Sequence, residues 1–251
     1  MTTPPTTRDI ALITGASSGI GLATAHLLRA QGFALALVAR SHDALERAAQ
    51  DLRAAHPGDA PILVVATDVG DPAAVRAMIE ACDAQLGGLH VLVNNAGLAL
   101  AKPIAQTTPD DLRRGYDVNA LGPALAIHHA WPIFQRQKRG CIVNVSTMGT
   151  DDPFPGFFAY ASAKASVNLM ARSCAKEGAS IGVRAFAVAP GAVETQMLRS
   201  MFTPRQVPPA ACLAPEDVGK LIVACIAGER DADNGRTIFV SRTPAGVTTR
   251  V

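Results

Sequence analysis

The sequence predicts an α/β domain, a doubly wound parallel sheet flanked by helices on both faces. Three observations lead there. Short β-prone apolar runs alternate with segments of helical periodicity, the pattern of repeated strand–helix–strand units. These runs are continuously apolar instead of alternating, as strands buried on both faces require. The first of them ends in a glycine-rich turn that opens directly into a helical segment.

"IALITG" (10–15) reads as the first strand, and "GIGLATAHLLRAQG" as a helix that closes on Gly32. "FALALVAR" (33–40) is a second strand. Ser41 then caps "SHDALERAAQDLRAAHPG", whose Pro-Gly pair stops the helix. "PILVVATDV" is the third strand, and Asp71-Pro72 supplies a cap followed by a proline at the first helical position. "LHVLVNNAG" is the fourth strand. A helical region follows over 109–138, which Pro123 and Pro132 divide or kink. "GCIVNVS" is a fifth strand, 159–178 a helix, and "GVRAFAVAPG" a sixth strand. Residues 192–213, with Pro204, Pro208 and Pro209, read as irregular. "APEDVGKLIVACIAG" is a further helix and "GRTIFVS" a last strand. No internal repeat or linker divides the chain, so a single domain is expected over 8–251, behind a short flexible tail at 1–7.

Composition narrows the function. A formal charge of +2 with scattered basic residues gives no case for nucleic acid. No apolar run is long enough to span a bilayer, and the N-terminus lacks the basic and apolar regions of a signal peptide. Five widely spaced cysteines form no C-x-x-C pair, which reads as reduced thiols in a cytoplasmic protein. The six histidines show no metal-ligand spacing, and no metal is expected.

The turn "TGASSGIG" (14–21) carries the strongest chemistry. Gly15, Gly19 and Gly21 allow a tight turn and close backbone approach to a ligand. With Ser17, Ser18 and Ile20 they form a cradle whose N–H groups and positive helix end suit a pyrophosphate. Where the second strand ends, an acid would bind the ribose hydroxyls of NAD and repel a 2′-phosphate. This chain has Ala39 there, followed by Arg40 and Ser41, so NADP(H) is preferred and NAD(H) is the alternative. Tyr160 and Lys164 lie four apart in "FFAYASAKA" and share one helix face. An ammonium beside a phenol favours the phenolate and draws its pKa toward the working range.

The spacing G-x-x-x-G-x-G resembles the short-chain dehydrogenase/reductase family. The remaining motifs fall in that family's order: "NNAG" (94–97), Asn119 in "DVNALG", a hydroxyl in "IVNVSTMG", the Tyr160–Lys164 pair and "PGAVET" (190–195). The resemblance covers residues of about 8–240 and implies a Rossmann-like fold. It further implies that Asp68 and Val69 contact the adenine and that Asn95, Ala96 and Gly97 line the ribose side. Pro190, Gly191, Val193 and Thr195 would hold the nicotinamide carboxamide. Tyr160 would exchange the proton, Lys164 would bind the nicotinamide ribose, and Asn119 would help carry a water-linked proton relay. Structural roles compete: Asp68 as a helix-entry acid, Asn95 as a strand brace, Pro190-Gly191 as a turn, Asn119 as the pin of a helix kink. The hydroxyl that polarises the substrate carbonyl is either Ser146 or Thr147. The usual interval back from the tyrosine reaches Thr147, whereas Gly149 favours Ser146.

Both segments that border the substrate pocket in the family are apolar here. Phe154, Phe157 and Phe158 are candidate walls and Met197, Leu198, Met201 and Phe202 a candidate lid, with core or interface packing as the alternative. Arg199 and Arg205 are candidate contacts to an acidic carrier or carboxylate. The end "IFVSRTPAGVTTRV" departs from the glycine pair common in relatives. The expected protein is an NADP(H)-dependent oxidoreductase that interconverts a ketone and a secondary alcohol, such as a 3-oxoacyl-thioester reductase, acting on an apolar small molecule. The family implies a homotetramer or dimer. The alternatives are an NAD-dependent alcohol or steroid-type dehydrogenase and a non-catalytic dinucleotide sensor, the latter opposed by the presence of Asn119, Tyr160 and Lys164.

Overall fold

The computed structural model describes residues 8–251; the tail expected at 1–7 lies outside them. Seven apolar runs become strands: β1 (Ile10–Thr14), β2 (Ala34–Ala39), β3 (Ile62–Ala66), β4 (Val91–Asn94), β5 (Gly140–Val145), β6 (Val183–Pro190) and β7 (Thr237–Thr243). All pair in parallel, and an antiparallel β8 (Gly246–Arg250) extends the sheet at one edge. The spatial order is β3-β2-β1-β4-β5-β6-β7-β8. Strand order therefore reverses between β1 and β4. In open α/β sheets such a switch point leaves a crevice beyond the carboxyl ends of the strands.

The helices are α1 (Gly19–Ala30), α2 (His42–Ala55), α3 (Pro72–Leu86), α4 (Pro109–Tyr116), α5 (Gly122–Gln137), α6 (Phe158–Gly178), α7 (Gln196–Met201) and α8 (Pro215–Ala227). Because successive side chains on a strand face opposite ways, each strand feeds two cores. Ile13, Leu35, Leu37, Val143 and Phe186 pack with Leu28, Leu45 and Ile222 of α1, α2 and α8. Leu12, Ala36, Leu92 and Ile142 pack with Met78, Ile79, Ile133 and Phe134 of α3 and α5 on the other side. Ser41 and Asp71 cap α2 and α3 as expected, their side chains accepting from Ala44 and from Ala73 and Ala74.

Three elements differ from expectation. The helical region over 109–138 is interrupted by a π-helical turn, Asp117–Leu121, which ends two residues before Pro123 and keeps right-handed helical backbone at both ends. Pro123 follows directly after this turn at the start of α5, and Pro132 lies inside α5 without ending it. The stretch 192–213 is not wholly irregular: Thr195 accepts from Leu198 N and starts α7. β7 is not the last strand. The turn at 244–245 returns the chain as β8, whose polar, mostly exposed residues carry no apolar signal.

Among the described residues all five cysteines are unpaired and buried. No helix among them is long and apolar enough to cross a membrane, and no group of three or more potential ligands gathers for a metal.

Candidate active site

A cleft of about 1130 Å³ runs along the carboxyl ends of the strands. Its floor is the turn between β1 and α1. Gly15 (φ 68°) and Gly19 (φ 54°) occupy the left-handed region that glycine tolerates. At Gly21 a Cβ would lie 2.3 Å from the Gly15 carbonyl oxygen, so only glycine lets α1 start here. The amide of Asn95 locks this turn by donating to the carbonyls of Thr14 (2.8 Å) and Gly15 (3.3 Å). In return the Thr14 hydroxyl accepts from the backbone of Asn95 and Ala96, 3.0 Å each. Ser18 begins α1 without a side-chain cap, in contrast to the capped α2, α3, α4 and α7. Uncapped N–H groups at a positive helix end, with Ser17, Ser18, Gly19 and Ile20 lining the cleft, are the donor set a pyrophosphate needs. A dinucleotide fits this cradle.

Following the floor toward β3, the lining includes Ala39, Arg40, Ser41, Asp68 and Val69. Arg40 is exposed and forms no ion pair among the described residues. The Ser41 oxygen accepts from Ala44 N at 3.3 Å while its proton stays available. Asp68 is held by Arg114 at 2.6 Å and by Gly70 N at 2.9 Å. Burial works to raise its carboxyl, but Arg114, the Gly70 N–H and Arg40 outweigh it and hold the group below the usual carboxylate range. Arg114 is a lining residue that sequence reasoning missed. It comes from α4, and no local motif marks it.

At the other end α6 delivers the tyrosine and the lysine. Tyr160 lies in the first helical turn, where the partial positive charge of the helix terminus favours an anion. One turn on, Lys164 is 2% exposed and its ammonium donates to the Val145 carbonyl at 2.7 Å, at the carboxyl end of β5. Gly97 passes close by: a Cβ there would lie 3.2 Å from Asn119 Oδ1 and 3.5 Å from Lys164 Nζ. Asn119 sits in the π-helical turn behind the cleft and is fully buried. It donates to the carbonyls of Leu98 (2.8 Å) and Gly115 (2.9 Å), and accepts from Leu98 N (3.0 Å). Pinning the helix break is thus a role it performs.

Electrostatics departs from expectation. Burial pushes the Tyr160 phenol up to about 12 and the Lys164 ammonium down to about 8. Lys164 does not draw the phenol down through the protein groups alone. Stripping water from the phenolate dominates, and the ammonium is engaged by Val145.

The two candidate hydroxyls differ. Ser146 is 2% exposed and its Oγ donates to the Lys164 carbonyl at 3.4 Å. Thr147 is partly exposed, and its Oγ1 accepts from Gly149 N at 3.2 Å, which leaves its proton for a ligand. Both residues line the cleft, as do Ala96, Gly97, Pro190, Gly191, Val193 and Thr195. Gly21 and Asn119 do not line it and act from behind. Phe154, Phe157, Met197, Leu198, Met201 and Phe202 form the outer wall, whereas Phe158 points away and is exposed. Arg199 does not line the cleft. It grips both carboxylate oxygens of Glu194 and donates to the Val207 carbonyl at 2.8 Å.

A family model described as short chain dehydrogenase matches residues 9–206. The chain belongs to the short-chain dehydrogenase family. It is 31% identical to 3beta-hydroxysteroid dehydrogenase 1 of Eggerthella lenta, over 91% of this chain and 90% of that protein. It is 36% identical to cis-4-hydroxycyclohexanecarboxylate dehydrogenase of Sinomonas cyclohexanicum, over 85% and 87%. Levodione reductase superposes with a TM-score of 0.87 at 29% identity, covering 93% of this chain and 96% of that one. The 3-ketoacyl-(acyl-carrier-protein) reductase of Brucella melitensis, solved with NADH, gives 0.85 at 28% with the same coverages. This short-chain dehydrogenase is an oxidoreductase acting on CH–OH groups, in a family that binds NAD(H) or NADP(H).

The buried lysine has a measurable consequence. Between about 8 and its ordinary 10.5, Lys164 binds fewer protons folded than unfolded, so its ionisation opposes folding below that window and the penalty lifts as pH rises through it. Urea midpoints measured from pH 8 to 10 should therefore rise in the parent relative to Lys164→Met.

Proposed function

We propose that this short-chain dehydrogenase interconverts a ketone and a secondary alcohol with NADP(H) as the preferred cofactor and Tyr160 as the proton donor and acceptor. The observation that carries this reading is the convergence of Tyr160, Lys164 and the Ser146–Thr147 pair at one end of a cleft whose other end is a glycine cradle. A bound dinucleotide supplies the hydride and, once oxidised, a positive ring that favours the phenolate. In reduction, Tyr160 Oη gives its proton to the oxygen of the forming alkoxide. Thr147 Oγ1 donates a hydrogen bond to the same oxygen and polarises the carbonyl. The free proton of Thr147 favours it over Ser146, whose hydroxyl faces the Lys164 carbonyl. Lys164 keeps a positive charge under the phenol's helix turn, and Asn119 fixes the loop that closes over it. In the oxidative direction the phenolate takes the hydroxyl proton back.

The NADP(H) preference rests on Arg40, which lines the cleft without an acidic partner among the described residues, and on Ala39, which offers no carboxylate to repel a 2′-phosphate. The NADH complex of the Brucella melitensis neighbour favours the second reading, an NAD-dependent dehydrogenase. Of the two arginines read as contacts to an acidic carrier or carboxylate, Arg199 is committed to Glu194 and Arg205 does not line the cleft. Five buried, unpaired thiols support a reducing compartment. The exposed Leu169 and Phe158 on α6 are side chains that a second copy would cover in the expected homo-oligomer.

Tyr160→Phe should lower kcat by about 10²–10⁴-fold while leaving NADPH binding in place, as proton-transfer catalysis requires. Thr147→Ser should retain most of the rate that Thr147→Ala loses. Steady-state ketone reduction measures both, and loss of turnover in Ser146→Ala alone moves the polarising role to Ser146. Arg40→Ala should weaken NADPH by about 1.5–3 kcal/mol, the worth of a hydrogen bond to a charged group, and leave NADH unchanged in fluorescence titration. Tighter binding of NADH than NADPH by the parent would overturn the cofactor assignment.

A further inference from the structure

The cleft is sorted by charge. Among the described residues, Arg40, Asp68, Arg114 and Lys164 are the only charged side chains that line it. The first three follow β2 and β3 or stand on α4, at the cradle end, and Lys164 lies beneath the phenol. Beyond Tyr160, toward β6 and α7, Leu98, Phe154, Phe157, Met197, Met201 and Phe202 make up most of the wall, with the neutral polar side chains Gln196, Ser200 and Gln206 beside them and no charge. The two arginines nearest in sequence are withdrawn: Arg199 is bound to Glu194, and the exposed Arg205 does not line the cleft.

The wall also has a shape. The Phe157 and Phe202 rings lie 11° from parallel with centroids 6.0 Å apart, joining the start of α6 to the segment after α7. Phe157 meets Tyr160 edge-on at 5.8 Å and Phe154 edge-on at 6.2 Å. A carbonyl oxygen placed between Tyr160 and Thr147 therefore has its carbon skeleton against aromatic faces. A carboxylate in that position would lose part of its water to this wall and meet no cation in return, only the neutral Gln196, Ser200 and Gln206.

Resting on the ketone–alcohol reading above, we infer that the substrate is an uncharged, apolar ketone, or the matching alcohol, and that the substrate end of the cleft selects against anionic ketones. Phe157 and Phe202 are its specificity-determining residues.

The matched probes are 4-oxocyclohexanecarboxylate and its methyl ester, offered to the NADPH-saturated protein. Two readouts are taken for each, kcat/KM and a dissociation constant from nicotinamide fluorescence. The ester should be favoured by about tenfold in both, the scale set by a partly desolvated charge without a partner. Phe157→Leu and Phe202→Leu, checked by thermal melt, should raise KM for the ester with little change in kcat. Met197→Arg, at a position 41% exposed that tolerates a charge, should move the ratio toward the carboxylate by about tenfold. Equal or tighter binding of the carboxylate by the parent overturns the inference, as does failure to bind either probe. Turnover that survives Tyr160→Phe overturns the acid–base reading instead, while the ratio of binding constants still decides the charge selectivity.

Discussion

A lysine ammonium buried against the end of a central strand is the constraint around which this molecule is arranged. Lys164 is 2% exposed and donates to the Val145 carbonyl at 2.7 Å. A buried cation needs such a partner, because an unpaired charge out of water costs far more than a hydrogen bond returns. The contact clamps α6 onto β5, and the reciprocal bond from Ser146 Oγ to the Lys164 carbonyl secures the same junction. One turn nearer the helix start, Tyr160 is thereby fixed at the mouth of the cleft. The Gly97 backbone and the Asn119 amide close the space around the ammonium, and a Cβ at position 97 would press on Asn119 Oδ1 at 3.2 Å and touch Lys164 Nζ at 3.5 Å.

Burial that secures the geometry also sets the chemistry against itself. The phenol is pushed up and the ammonium down, so the protein groups alone favour neutral tyrosine. In the proposed reduction that is the useful form, a proton donor for the carbonyl oxygen. For oxidation the phenolate must become accessible, and the positive helix end, the ammonium and the charge of an oxidised nicotinamide all act in that direction. The lining of the cleft is uneven in the same sense, with Arg40, Asp68 and Arg114 toward the glycine turn and mostly apolar side chains beyond Tyr160.

Much of this was legible in the sequence because the signals were local. A glycine turn between strand and helix, Asp71 before Pro72, and two residues four apart on a helix each carry their geometry in a few neighbouring positions. What escaped depends on distant partners. Arg114 reaches Asp68 from another helix, and Val145 contributes only a carbonyl, which every residue has. β8 pairs through backbone with polar residues outward, so no periodicity marks it. Arg199 looked available as a cation until Glu194, five residues earlier, was found to occupy it. The upward shift of the Tyr160 phenol is hidden from the sequence for a related reason. Spacing reports which charges are near, but not how much water each group has lost.

The chain has two tyrosines, so in Tyr116→Phe the Tyr160 phenol is the sole one and its ionisation can be followed by ultraviolet difference absorbance. Titrated without added cofactor, it should ionise near about 12. Saturation with NADP⁺ should lower that value by about one unit or more, on the order of 1.4 kcal/mol in favour of the phenolate, and Lys164→Met should remove most of the change. An ionisation that NADP⁺ leaves in place, or one that shifts equally without the lysine, would contradict the coupling of phenol, ammonium and dinucleotide.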